Sequence, residues 1–280
     1  MTSRLRLFAR DKAALAGAGL VGIIAFLALA GPHLVPYPQD ATATHILDGL
    51  DPPSVAHFFG TDDFGRDLFS RVVLGAGTAL ELALGVAGIA MAIGVPLGLW
   101  AGYFGGWLGN AIMRVTDVFL AVPSLVLAIA LAQLLRAGVG SAILALSLTY
   151  WPHFSRNVYA ETRSARTATF VDAMEGMGVA PNRILFLHIL PNIASSIIVR
   201  ATIGIGYIIM LAAVLGFLGI GVPAPQPDWG ATIAHSREHL PDDWWLAFFP
   251  GLAIFLSVLG FNLLGDGLRD IIDPRFRRSR

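Results

Sequence analysis

The 280-residue sequence contains no cysteine and a single lysine, Lys12, and only 14% of its residues are charged. The lack of cysteine excludes disulfides, thiolate metal sites and a cysteine nucleophile. With one lysine and no glycine-rich loop leading to it, the chain has no phosphate-cradling motif, so any ATP hydrolysis would belong to another chain. The formal net charge of zero gives no electrostatic footprint for nucleic acid. A soluble domain carries about a quarter charged residues. With 55% hydrophobic residues and 31 glycines, a composition that favours close helix packing in lipid, this is an integral membrane protein.

Apolar runs of span length follow one another. Ala13 to about Leu34 comes after Arg4, Arg6, Arg10 and Lys12. It looks like a signal peptide, and Ala28-Leu29-Ala30 offers a cleavage pattern, but it has the roughly 20 residues that a membrane helix needs and is read as the first span. The second is expected from Thr78 to Trp100, after a proline-rich polar connection from Gly31 to Gly77. The third is expected from Ala111 to Leu135, kinked at Pro123. A fourth begins with Ser141–Pro152, a fifth runs from Ile193 to Gly221, and a sixth runs from about Leu246 to Leu264 behind Trp244 and Trp245, which suit a membrane boundary. The expected fold is an all-α membrane protein of about six transmembrane helices with both termini cytoplasmic. Its parts are residues 1–77 (tail, first span and outer loop), 78–268 (a core of the remaining spans, holding a cytoplasmic loop at 154–191) and 269–280 (a basic tail).

Glu81 lies near the start of the second span, and three further ionisable residues fall within spans. Arg114 and Asp117 are spaced i, i+3 and are expected to pair on one face as a structural feature, with Arg114 near enough to the helix end to snorkel. Arg200 lies deeper. Groups at such depth are candidates for a pathway or an interface. Asp266, near the end of the last span, is expected to cap or to sit at an interface.

The most polar stretch runs from His153 to Pro191. Arg156, Glu161, Arg163 and Arg166 give Ser155–Gly176 a solvated helical face, Gly176 and Gly178 interrupt it, and Pro181 suits the first turn of a second helix. Ile184, Leu185, His188 and Ile189 then form an apolar stripe. The product is helix, sharp turn, helix, with small residues at the bend where another surface can approach the backbone. A plain cytoplasmic hairpin is the alternative.

This spacing resembles the EAA loop of importer-type ABC transporter permeases: an acid, two small residues, a glycine six positions after the acid, and Leu-Pro twelve and thirteen positions later. Asp172, Ala173, Gly178, Leu190 and Pro191 take those places; Asp172 stands for the usual glutamate and Met174 for the second alanine. A second string, Gly60-Thr61-Asp62-Asp63-Phe64-Gly65-Arg66-Asp67, resembles the Gly-Thr-Asp…Gly-Arg-Asp signature of the dipeptide/oligopeptide/nickel permease family. So do Leu218-Gly219-Ile220-Gly221 leading to Pro227-Asp228-Trp229-Gly230, and the stretch from Asn262 to Asp270. Without the resemblance, the Gly60–Asp67 string is a capped surface helix with Asp–Arg pairs, each worth little in water.

The resemblance spans about Asp11 to Arg275. It implies a type I ABC importer permease-like fold, in the role of a second permease subunit. It implies an ATPase-coupling loop containing Asp172, Ala173, Glu175, Gly176, Gly178, Leu190 and Pro191. The implied partners are a homologous permease (a heterodimer), two ATPase subunits that hold ATP and Mg, and an extracytoplasmic substrate-binding protein, with no cofactor in this chain. The implied cargo is a peptide of the dipeptide/oligopeptide class, with nickel or a metal chelate as the alternative. Charge supports the orientation: fourteen basic residues fall on the inner side and four on the outer, with Arg200 between them. A membrane enzyme fits poorly, since His235 and His239 share i, i+4 spacing but no glutamate follows His235. A secondary carrier or channel predicts two related halves, and none is visible.

Overall fold

The computed structural model describes residues 11–39, 41–44, 49–135 and 138–272, with only the backbone of Ile272. Arg4, Arg6, Arg10, Asp40, His45, Asp48, Arg136 and everything from Asp273 onward, several of which enter the charge asymmetry and the basic tail, lie outside the described residues. Within them every regular element is helical: α1 (Lys12–Leu34), α2 (Leu68–Phe104), α3 (Gly106–Ala121), α4 (Ser124–Leu134), α5 (Val139–Arg166), α6 (Thr169–Gly176), α7 (Pro181–Ile184), a π-helical turn (Leu185–Ile189), α8 (Leu190–Phe217), α9 (Trp229–Ser236) and α10 (Trp245–Ile272).

Local chemistry sets the helix starts. The Asp11 carboxylate accepts from the amides of Ala13 and Ala14 at 2.9 and 3.1 Å and opens α1. The Asp67 carboxylate accepts from Ser70 N at 2.7 Å and opens α2. From there α2 continues for 37 residues, about 55 Å. The expected start at Thr78 therefore comes ten residues late. The misleading signal was Arg71, which looks like a surface residue in sequence but is buried inside the fold.

Among the described residues, four helices, α1, α2, the stretch Pro181–Phe217 and α10, are long and apolar enough to cross a membrane, and α3 with α4 makes a fifth if taken as one broken span. That break is a 91° turn, much sharper than a kink. Val122 leaves the helix for extended backbone, as a residue preceding proline tends to do, and Pro123 then opens α4. The fourth expected span, α5, has the length but not the apolarity. It is the central helix, packed against α2, α3, α4 and α8.

α2 and α5 pack backbone against backbone. Gly94, Gly98 and Gly102 recur every fourth residue on α2. A Cβ at these positions would lie 2.5 Å from Trp151 O, 2.5 Å from Ser155 O and 2.7 Å from Thr162 Cβ. Glycine is required there because one backbone rests on the other. Val86, Leu146, Phe154, Ile208 and Leu215 fill the core between α2, α5 and α8. On the far side α10 packs on α1 at Gly17 and Gly260, and on α8 at Gly206. Asp266 does not cap α10, because the helix runs on to Ile272; its side chain is exposed.

Candidate functional site

The stretch expected to form one helix from Ser155 to Gly176 is two. α5 ends at Arg166, Thr167 and Ala168 break the helix, and α6 starts at Thr169. α6 ends in a left-handed cap. Gly178 sits at φ +73°, its N–H donates to Glu175 O at 3.0 Å, and Val179 N–H donates to Met174 O at 3.0 Å. Val179 and Met174 also pack together on the same apolar cluster, so backbone and side chains close the turn jointly. Pro181 then begins α7 where its missing N–H costs nothing. The π-turn and Pro191, at the second position of α8, lead into the next span.

One side of this hairpin is buried. Val171, Ile184, Leu185 and Ile189 pack against Leu99 and Tyr103 of α2, Val158 of α5, and Ile193 and Ile197 of α8. The other side is open. Asp172, Ala173, Glu175, Gly176, Gly178 and Pro191 are exposed, Leu190 is half-buried, and Met177 is 73% exposed. A Cβ on Gly176 or Gly178 would meet nothing within 4 Å. The turn therefore offers bare backbone flanked by two carboxylates, Asp172 and Glu175, and the flexible thioether of Met177. One polar link ties it to the spans, with Tyr103 Oη donating to Glu175 Oε1 at 2.8 Å; a second joins the spans themselves, where the Arg166 guanidinium at the end of α5 donates to Tyr103 O while lying 5.3 Å from the Tyr103 ring. Neither link was legible in the sequence, because Tyr103 and Glu175 are 72 residues apart and neither belongs to a local pattern.

Arg114 and Asp117 do not pair as expected. Asp117 faces α5 and forms an ion pair with Arg156, whereas Arg114 is exposed. The crossing of α3 over α5 brings a cation closer to Asp117 than its own helix does. Arg200 is half-buried on α8 beside Tyr150 and His153 of α5.

The outer string is a buried lock. Asp62, Arg66, Asp67 and Arg71 are only 3%, 6%, 1% and 4% exposed. Asp62 accepts from Phe64 N at 3.0 Å, Arg66 N at 2.9 Å and Arg66 Nε at 2.7 Å, with Arg71 Nε at 3.6 Å. Arg71 Nη1 donates to Ala41 O at 2.6 Å. Asp67 meets His57 Nδ1 at 2.9 Å. The Asp228-Trp229-Gly230 string closes on the same region: Asp228 caps α9 by accepting from Ala231 N at 2.7 Å, and Trp229 Nε1 donates to Val72 O at 2.9 Å across α2. Burial pushes the Asp228 carboxyl above the usual carboxylate range, against the lowering pull of the α9 amides and Arg71. Burial and the neighbouring Asp62 also raise Asp63, with His235, Arg66 and His239 opposing. The surface-helix expectation is thus replaced by a desolvated network joining the two loop strings.

Residues 94–278 match the family described as the binding-protein-dependent transport system inner membrane component, and residues 3–53 match the N-terminal TM domain of oligopeptide transport permease C. The chain is 41% identical over 268 residues to a dipeptide transport system permease protein of Alkalihalophilus pseudofirmus, covering 96% of this chain and 88% of that one. It is 41% identical over 275 residues to a glutathione transport system permease protein of Pectobacterium atrosepticum, covering 97% and 90%. Among solved structures, the inward-facing MetNI methionine ABC transporter shares the fold at a TM-score of 0.60 with 20% identity, covering 73% of this chain and 97% of that chain. The chain belongs to the family of inner-membrane components of binding-protein-dependent transport systems and is a multi-pass membrane protein.

Proposed function

We propose that the chain is a permease subunit of an ATP-driven peptide importer, and that the α6–α7 hairpin receives the stroke of a partner ATPase. One observation carries the coupling reading: the hairpin's inner side is anchored by Val171, Ile184, Leu185 and Ile189, while its outer side presents the bare backbone of Gly176 and Gly178 beside Asp172 and Met177. An anchored lever with an open, small-residue tip suits a surface that must be gripped and moved. In this reading a homologous permease completes the pathway as a heterodimer, two ATPase subunits hold ATP and Mg, and a binding protein delivers cargo to the outer face. ATP binding closes the ATPases, the hairpin follows, and the helices around α2, α5 and α8 shift between two packed states. The permeases named for dipeptides and glutathione, both at 41% identity, favour a peptide over a nickel chelate as cargo.

The test is capture of the tagged chain from its native membrane, beside Asp172→Arg and Gly178→Arg variants. Wild type brings down two ATPase chains and a second permease; the variants keep the permease and lose the ATPases. A chain that purifies alone and transports without ATP would sink the proposal.

A further inference from the structure

α5 and α8 run antiparallel, and polar side chains line the seam between them. Tyr150, His153, Asn157 and Glu161 follow one another along α5; Tyr207, Gly204, Arg200 and Ser196 answer them along α8. The rungs nearest the hairpin are satisfied. Asn157 Nδ2 donates to Ser196 Oγ at 3.4 Å, and the Ser196 hydroxyl donates to Glu161 Oε1 at 3.1 Å. The farthest rung is aromatic. The Tyr150 ring stacks on Tyr207 at 5.9 Å and lies 5.0 Å from the His153 ring, and its hydroxyl occupies the space over Gly204, 2.7 Å from where a Cβ would stand.

The rung between them is incomplete. Arg200 Nε and His153 Nε2 are both shielded from solvent and neither has a hydrogen-bond partner. Among the described residues, no carboxylate forms an ion pair with Arg200. Arg200 lies ten residues into α8, about 15 Å along an axis of about 42 Å, so its charge sits well inside the span. A cation at such depth without a counter-ion is costly and marks a pathway for something that brings the opposite charge. The seam is also reachable: Tyr207 is 37% exposed, and His153, Asn157, Ser196 and Arg200 are half-buried.

We propose that Arg200 and His153 form a carboxylate subsite on the translocation path, which holds the C-terminal carboxylate of a peptide in transit. This rests on the peptide-import reading above. The guanidinium fork matches a carboxylate bidentately, and His153 Nε2 donates to the same group when it carries the proton. The Tyr150–Tyr207 stack supplies an apolar, sequence-tolerant wall beside it, suited to cargo of varied side chains. The subsite replaces water around the carboxylate at the depth where that loss costs most.

The test uses the assembled importer with its binding protein in proteoliposomes, and compares uptake of a dipeptide with uptake of its C-terminal amide. The binding protein contributes the same preference to every permease variant, so a change in the acid-to-amide ratio isolates the permease. Arg200→Gln lowers that ratio about tenfold, the effect of losing charge-assisted hydrogen bonds. Because the chain has no cysteine, Arg200→Cys can be labelled selectively against a reagent-treated wild-type control. A cationic thiol reagent restores the ratio and an anionic one does not. If Arg200→Gln fails to assemble, Tyr207→Cys carrying the anionic reagent lowers the ratio through repulsion. An unchanged ratio, or equal loss of acid and amide, overturns the subsite alone. A wild-type complex that imports neither compound overturns the peptide reading, and the subsite with it.

Discussion

At the scale of single residues, Asp62 does the most per atom. It accepts from two backbone amides and the Arg66 guanidinium and sits close to a second guanidinium, all at a few per cent exposure. Breaking a buried pair by removing one charge leaves the other uncompensated and costs about 3–5 kcal/mol. Asp62→Asn is therefore expected to lower the thermal unfolding midpoint of the purified complex far more than Asp242→Asn, which alters an exposed residue. Equal shifts would show that the lock contributes nothing beyond its loop. Asp228 gives a pH signature. Its folded carboxyl is raised above the ordinary 3.8 by burial, so the folded state holds the proton more tightly than the unfolded chain. Stability from this group is thus present at low pH and lost as pH rises through the raised value. Asp228→Asn keeps an oxygen for the Ala231 amide and removes the titration. The variant's stability relative to wild type is expected to improve from pH 4 towards neutrality, and a difference that stays flat across that range would refute the assignment.

At the scale of elements, two helices end the same way. Gly178 after α6 and Gly219 after α8 have φ of +73° and +74°, and in each case the glycine N–H and the next N–H return to carbonyls of the last turn. A Cβ at either would meet nothing within 4 Å, so the cost of Gly→Ala is conformational only, about 1–2 kcal/mol. Asparagine, which tolerates the left-handed region, should cost less at both. Gly98→Ala is a different case: its φ is helical, but the added carbon would press on Ser155 O, and forcing α2 from α5 costs about 1–3 kcal/mol. Unfolding midpoints of the three alanine variants, with Gly178→Asn beside them, separate the two mechanisms, because only the turn sites should recover with asparagine. These elements also show what the sequence could reveal. The hairpin was legible because glycine, proline and an apolar stripe act locally. The start of α2 was not, because Arg71 is polar by type and buried by partners brought from residues 41 and 62. The Asp117–Arg156 pair was missed for the same reason, since a helix crossing decided it. The right-angled break at Pro123 was foreseen in place but not in size, because proline fixes where a helix stops and tertiary packing sets the angle.

At the scale of the whole molecule, the hairpin matters only if its motion reaches the spans. The apolar contacts of Val171 and Ile184 with α2 can hold position, but they are non-directional. The Tyr103–Glu175 hydrogen bond is directional and joins the hairpin tip to the far end of a 37-residue helix whose other end carries the outer lock. Tyr103→Phe keeps the ring, its packing and the carbonyl that Arg166 engages, and removes one charge-assisted hydrogen bond worth about 1.5–3 kcal/mol. On the coupling reading, the complex assembles normally and hydrolyses ATP, but peptide taken up per ATP falls about two- to tenfold in proteoliposomes. Glu175→Gln, which can still accept from the tyrosine, should fall less. Loss of ATPase capture in Tyr103→Phe would instead make this bond part of the docking surface, and unchanged uptake per ATP would leave transmission to the apolar contacts alone. The three outcomes assign different work to one bond, so measuring capture and uptake in the same preparation decides whether α2 is the rod through which the hairpin acts.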